Sequence, residues 1–379
     1  MVLAAGAALY FRPLPAIEPA TSLSAPVTPA PSQLAWPAYG QAALGAKGFG
    51  LLATSGAQSA APMASLAKVI TALVVLRQKP LAVGEPGPTL TLSANDIDYF
   101  NHYYSLGGSV VKVAVGEQIS QYQMLQGLLI PSGNNLADSL AVWAFGSLEA
   151  YLTAANQYVK ALGLGQTYVA DASGFSPSTA SSAADMVKLG LTALDNPVIA
   201  GIAAQPEANL PVAGTVHSVN ALLNHNGIIG IKTGNTDQAG GCYLFAAERL
   251  IDQKTVTVVG AIMGAADLGG ALRDSLSLLE FSQANFVNQK IIRANQPVAI
   301  YKTPWGTQVP VVAQRDLSIL VWKGQSVSQM ASLQPLKTPS SKGSIVGTLN
   351  ILVNSSTENT PAVLGEDAPK PPWTWRLLH

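Results

Sequence analysis

The chain has 379 residues, and its 21 Lys+Arg balance 21 Asp+Glu, so the formal net charge is zero. With 48% apolar and only 11% charged residues it can bury a large core, which excludes global disorder. The balanced charge excludes a broad nucleic-acid surface, and a single cysteine excludes both an intramolecular disulfide framework and cysteine-based zinc sites.

The first feature in chain order is the apolar run VLAAGAALYF, Val2 to Phe11, followed by Arg12. It is shorter than the ~20 residues a membrane-spanning helix needs, and residues 1–12 read as the remainder of a signal or anchor segment. Residues 13–37 hold seven prolines and read as a semi-extended linker. Residues 66–77, LAKVITALVVLR, are apolar on almost every side, which predicts a helix buried inside a globular core. Further helices are expected over 120–130, ending at Pro131, and over 134–145, 150–162 and 183–194. After residue 225 the texture changes. Residues 228–233, 242–247 and 255–263 are short Val-, Ile- and aromatic-rich runs that read as neighbouring antiparallel strands, and a helix over 271–289 closes the unit. From Pro297 the runs VAIYK, QVPVVA, LSILVW, SIVGTL and LNILV predict a small all-β domain. The expected division is therefore 1–12, 13–37, 38–292 and 293–379.

The sequence has no HExxH, no GxSxG elbow, no Gly-x-Gly-x-x-Gly and no GxxxxGK[ST]. The histidines at 102, 217, 225 and 379 lack ligand spacing, so neither a metal site nor a Ser-His-Asp triad is expected. Three other motifs carry chemistry. Ser65-Leu66-Ala67-Lys68 places two side chains one helical turn apart on one face, where a lysine of lowered pKa can take the serine proton. Ser65 at a helix N-terminus also has free backbone N–H groups beside it, suited to a developing oxyanion. Ser132-Gly133-Asn134 lies in the break between two helices, and Lys232-Thr233-Gly234 closes a strand, where a cation and a hydroxyl suit a terminal carboxylate. The glycine there lets a substrate backbone approach the strand edge. Each motif alone also fits an ordinary helix cap, turn or strand end.

Their joint order is more specific. SxxK, then SxN beginning 64 residues after Lys68, then KTG resembles the signature of penicillin-recognising serine enzymes. PMASLAKVITALVVL, VGEQISQYQMLQGLLIPSGNNLADSLA, DASGFSPSTASSAADMVKL and GIIGIKTGNTDQAGGCYLFAAER resemble segments of the low-molecular-mass D-alanyl-D-alanine carboxypeptidases of serine peptidase family S11. The resemblance covers about residues 40 to 290. It implies an α/β (α+β) transpeptidase/β-lactamase-like domain with an antiparallel sheet flanked by helices, followed by a C-terminal β-rich domain.

The resemblance also implies roles. Ser65 would attack the carbonyl of the penultimate D-alanine of a peptidoglycan stem peptide, and Lys68 would be the general base. Ser132 would relay a proton to the leaving D-alanine, and Asn134 would hold the substrate amide. Lys232 and Thr233 would receive the terminal carboxylate beside Gly234. The backbone N–H groups of Ser65 and Asn235 would form the oxyanion hole. A β-lactam would acylate Ser65 and leave slowly, and no cofactor is implied. Two positions depart from the family pattern: Ala67 stands where Thr is common, and Asn235 where His is common. Arg273 is the candidate for the arginine that assists carboxylate binding in relatives. Cys242 reads as a small buried hydrophobe.

A class A β-lactamase would need a glutamate-bearing loop between the second and third motifs, and Glu207 is the only glutamate between Tyr151 and Glu248. A non-catalytic wall-binding protein would have no need of Ser65, Lys68, Ser132, Asn134 and Lys232 together. The expected location is the bacterial cell envelope outside the cytoplasm. The segment PPWTWRLLH is too short for a stable interfacial helix, so the N-terminus is the expected membrane tether.

Overall fold

The computed structural model describes residues 12–26, 28–354 and 356–378, so the Val2–Phe11 run and His379 lie outside the described residues. The chain forms two compact units. One is residues 33–284, and the other joins the segment up to Ser32 with Asn285 onward.

The first unit is built on a five-stranded antiparallel sheet. Its strands are β1 (Gln41–Ala46), β2 (Gly50–Ser55), β3 (Ile228–Thr236), β4 (Gly240–Ile251) and β5 (Lys254–Ala265), in the order β3-β4-β5-β1-β2. All six β1 residues are buried, as expected of a strand covered on both faces. In β4, successive side chains alternate between faces, and Cys242, Leu244 and Ala246 join the helical core. Cys242 is fully buried, and burial pushes its thiol pKa up to about 11, which fits the reading of it as a hydrophobe.

The helices are α1 (Ala67–Gln78), α2 (Ala94–Ser105), α3 (Gln121–Leu129), α4 (Asn134–Phe145), α5 (Leu148–Ala161), α6 (Ala183–Asp195), α7 (Pro197–Ala203) and α8 (Leu268–Gln283). In α1, every residue from Ala67 to Leu76 is buried. Its four β-branched aliphatic and aromatic-free positions Val69, Ile70, Val74 and Val75 lower helix propensity, but burying each contributes roughly 1.5–3 kcal/mol, which dominates. The helix stops where Pro80 forces Lys79 out of helical geometry, at φ −127° and ψ 80°. Helix α3 opens on a capping box between Ser120 and Gln123 and gives way before Pro131. Among the described residues no single helix is long and apolar enough to cross a membrane.

Several boundaries differ from the sequence expectations. The helix expected over 271–289 ends at Gln283, because Phe286–Ile292, buried at both ends with half-buried and exposed residues alternating between them, pairs with Leu317–Trp322 as a strand. The division between units accordingly falls at 284/285 and not at 292/293. The 13–37 stretch is not wholly a linker either. Pro19–Thr21 pairs with the strand Pro297–Lys302, and Ile17 is buried in the second unit's core. Proline is tolerated there because the strand is at the sheet edge, where a missing N–H breaks no ladder.

The second unit is a six-stranded antiparallel sheet in the order Pro19–Thr21, Pro297–Lys302, Gln308–Ala313, Ser356–Leu364, Ile345–Val353, Ser328–Leu333, beside the separate pair Phe286–Ile292 and Leu317–Trp322. Its core gathers Ile292, Tyr301, Val311, Leu349, Ile351 and Leu364. SIVGTL and LNILV, read as two runs, are one continuous strand.

Candidate active site

Ser65 sits in a 3-10 turn, Ala64–Leu66, that runs directly into α1. Lys68, one turn on, is fully buried, and its Nζ lies 2.7 Å from Ser65 Oγ, 2.6 Å from Asn134 Oδ1 and 3.1 Å from the Ser173 carbonyl oxygen. As an ammonium it donates to all three. As a neutral amine it still donates to Asn134 and Ser173, which turns its lone pair toward the Ser65 hydroxyl. Burial pushes the Lys68 pKa well below that of a free lysine, and the positive charge of Lys232 pushes it the same way. Asp171 and Asp138 oppose this with their negative charge.

The turn is braced by the loop after α5. Gly174, at φ +77°, lies so close that a Cβ on it would stand 1.9 Å from the Ala64 carbonyl oxygen, so only glycine fits. The same loop presents the Ser173 carbonyl to Lys68 and is itself fixed by Asp171, whose Oδ2 accepts from Ser173 Oγ at 2.7 Å and Phe175 N at 3.0 Å. Ser132 and Asn134 enter from the α3–α4 break. Ser132 is buried with φ +68°, Gly133 is the N-cap of α4, and the Asn134 N–H donates to Ser109 O at 2.9 Å.

From the other side comes β3, an edge strand of the five-stranded sheet. Lys232 and Thr233 are buried, and burial lowers the Lys232 pKa to about 7. Gly234 touches the nucleophile turn, since a Cβ there would stand 3.0 Å from the Ser65 backbone nitrogen. Asn235 is exposed and lines a cleft of about 540 Å³ together with Ser65 and Asn134. The segment Leu106–Ser109 and the segment Phe175–Pro177 form its walls.

Ser65, Asn134 and Asn235 line this cleft, Lys68 stands on α1 behind Ser65, Ser132 lies in the helix break, and Lys232, Thr233 and Gly234 are on β3. Arg273 is not among the cleft-lining residues. Helix α8 begins at Leu268, so Gly269 and Gly270 are its first turn, and the exposed Arg273 stands on it near Tyr39 and Asp274. Sequence reasoning named no role for Asp171, Ser173 and Gly174, although DASGF was visible as a segment, nor for Tyr103 and Asp138. Glu207 is exposed, lies 3.3 Å from His217 Nδ1 and is not in the cleft. A separate hollow of about 320 Å³ at Val74, Arg77 and Tyr158 holds no nucleophile.

The fold is that of the penicillin-binding DD-peptidases. Penicillin binding protein 5 from Haemophilus influenzae superimposes with a TM-score of 0.62 at 21% identity, over 92% of this chain and 100% of that one. Residues 47–267, more than half the chain, match the family described as D-alanyl-D-alanine carboxypeptidase. The chain is 26% identical over 324 residues to D-alanyl-D-alanine carboxypeptidase DacA of Escherichia coli K12, covering 81% of this chain and 77% of that protein. It is 25% identical over 298 residues to D-alanyl-D-alanine carboxypeptidase DacF of Bacillus subtilis, covering 76% and 74%. The chain belongs to the D-alanyl-D-alanine carboxypeptidase family, the serine peptidases of family S11.

Proposed function

We propose that Ser65 is the nucleophile of a serine-type D-Ala-D-Ala carboxypeptidase and that Lys68 is its base. The observation that carries this reading is the buried Lys68 amine held between Ser65 Oγ and Asn134 Oδ1. Neutral Lys68 takes the Ser65 proton as Oγ attacks the carbonyl carbon of the penultimate D-alanine. The oxyanion forms between the backbone N–H groups of Ser65 and Asn235. Collapse breaks the peptide bond, and the departing amino group of D-alanine receives a proton from Lys68 through Ser132. Water then cleaves the acyl ester and releases the shortened stem peptide. Asn134 holds the substrate amide, the β3 edge pairs with its backbone, and Lys232 with Thr233 receives the terminal carboxylate. Arg273, in the first turns of α8, is the candidate to assist that reception.

The enzyme acts on peptidoglycan, outside the cytoplasm, and binds β-lactams. The apolar run Val2–Phe11 belongs, in this reading, to a membrane tether attached to the second unit. Support comes from Arg12, which directly follows the run and stacks over the Trp375 ring at 5.7 Å. Deleting residues 1–12 should then release the protein from membranes, and retention of the truncated protein would defeat the tether.

A fluorescent penicillin tests the chemistry. Labelling that vanishes in Ser65→Ala, with D-alanine release from diacetylated Lys-D-Ala-D-Ala by the wild type, is the expected result. An unlabelled wild type would overturn the acyl-enzyme.

A further inference from the structure

One turn beyond Asn134 on α4 stands Asp138, a buried carboxylate to which nothing above gives work. Its Oδ2 accepts a hydrogen bond from Tyr103 Oη at 3.0 Å. Tyr103 Oη in turn lies 3.4 Å from Ser173 Oγ, and the Ser173 carbonyl is the one that holds Lys68 Nζ. Lys68, Ser173, Tyr103 and Asp138 are therefore neighbours in one buried cluster behind the nucleophile, with the Ser173 hydroxyl proton directed to Asp171 and the Tyr103 proton to Asp138. Among the described residues no lysine or arginine forms an ion pair with Asp138.

The two acids of this cluster differ in a way that decides their roles. Asp171 is wrapped by donors, accepting from the hydroxyls of Ser173 and Thr179 and from the N–H of Phe175. Among the described residues Asp138 accepts a hydrogen bond from the Tyr103 hydroxyl alone, and burial lifts its pKa to about 7. The other groups facing it are Tyr99 and Tyr103 from α2, Tyr151 from α5, Asp171 from the loop and Lys68 from α1, and Asp96 and Asp98 act on Tyr99. Burial raises the pKa of all three tyrosines, so they stay neutral while Asp138 changes charge. Lys232 acts on Lys68 with its positive charge.

We propose that Asp138 is a positioning residue for Lys68: as a carboxylic acid it leaves the lysine free to be an uncharged base, and as a carboxylate it holds the proton on it. The two groups then titrate as a coupled pair, and the base is released over two steps instead of one. This rests on Lys68 being the base of the acylation step.

The test is the rate of acylation by a fluorescent penicillin as a function of pH, for wild type, Asp138→Asn and Tyr103→Phe. Asparagine keeps the bond from Tyr103 and removes the charge. In Asp138→Asn the acid limb should sharpen to a single proton and move down by about half to one pH unit, because no carboxylate remains to hold the Lys68 proton. Tyr103→Phe removes the hydroxyl that stabilises the Asp138 carboxylate, so its limb should move the same way by less. Limbs that superimpose on the wild type, or a rate reduced equally at every pH, overturn the proposal. If Asp138→Asn does not fold, Tyr103→Phe decides by the same criterion. A wild type that is never acylated overturns the acyl-enzyme reading itself, whereas an acylated wild type with unmoved variants overturns only the role of Asp138.

Discussion

Gly234 on β3 and Ser65 on the nucleophile turn are in backbone contact, with only 3.0 Å between the Ser65 nitrogen and the place a Gly234 Cβ would take. The edge strand that receives the substrate and the residue that attacks it are therefore one mechanical unit. A methyl at position 234 must push the strand and the turn apart, and a small misplacement at a reacting centre is costly. Gly234→Ala should fold normally yet lower the second-order rate of penicillin acylation by about 10- to 100-fold. Stopped-flow labelling with melting curves measures both, and unchanged acylation would refute the contact's importance.

Gly174 should be less forgiving. Its φ of +77° and the 1.9 Å approach to the Ala64 carbonyl leave no room for a side chain, and the loop it belongs to holds Lys68 through Ser173. Gly174→Ala should cost about 2–4 kcal/mol of stability, combining the strained backbone with overpacking, and also lower acylation. Denaturant unfolding of the catalytic unit gives the first number. A loss below about 0.5 kcal/mol would show that the loop yields freely.

Lys232 makes a prediction with a definite sign. Its folded pKa is about 7, below the ordinary lysine value of 10.5, because burial disfavours the charged form. Between those two values the unfolded chain binds more protons, so this group's contribution to stability rises with pH from about 7 to about 10.5 and is lost on acidification. Lys232→Met should flatten that slope and be more stable than wild type at pH 7 by about 1–4 kcal/mol, while losing carboxylate recognition. Melting temperatures across that range, and KM for the dipeptide-terminated substrate, test the two halves separately.

Cys242 is fully buried on β4 and its thiol pKa is pushed up to about 11. Both facts make it inert. A maleimide or disulfide reagent should leave it unmodified in native protein and label it fully after denaturation. Fast labelling of the native enzyme, read by intact mass, would mean that the sheet opens at β4.

The three motifs were legible in the sequence because each is a short contiguous stretch, where spacing alone largely fixes geometry. Ser65 and Lys68 share a helical turn, and Lys232 to Asn235 share a strand. What was not legible depends on register and on loops crossing between elements. Nothing in the spacing of Ser173 or Tyr103 tells that they meet beside Lys68, 105 and 35 residues from their partners Lys68 and Asp138. The element carrying Arg273 was hidden for a related reason, since two glycines obscured where α8 begins. In the proline-rich stretch, composition argued against any strand, but an edge position makes no demand on the missing N–H of Pro19. The Gln283 boundary was missed because FVNQKII continues an apolar pattern that helix and strand can both use.

The pairing of Pro19–Thr21 with Pro297–Lys302 also imposes an order of assembly. The catalytic unit is inserted into the sequence of the second unit, so the earliest strand emerges long before the one that receives it. Until that partner has been synthesised and exported, the N-terminal segment has no ladder to join. Its prolines then serve a second purpose, since a chain poor in N–H donors is a poor template for mispairing while it waits. The strand at Pro19–Thr21 is therefore placed only after the entire catalytic unit that separates it from its partner has been made.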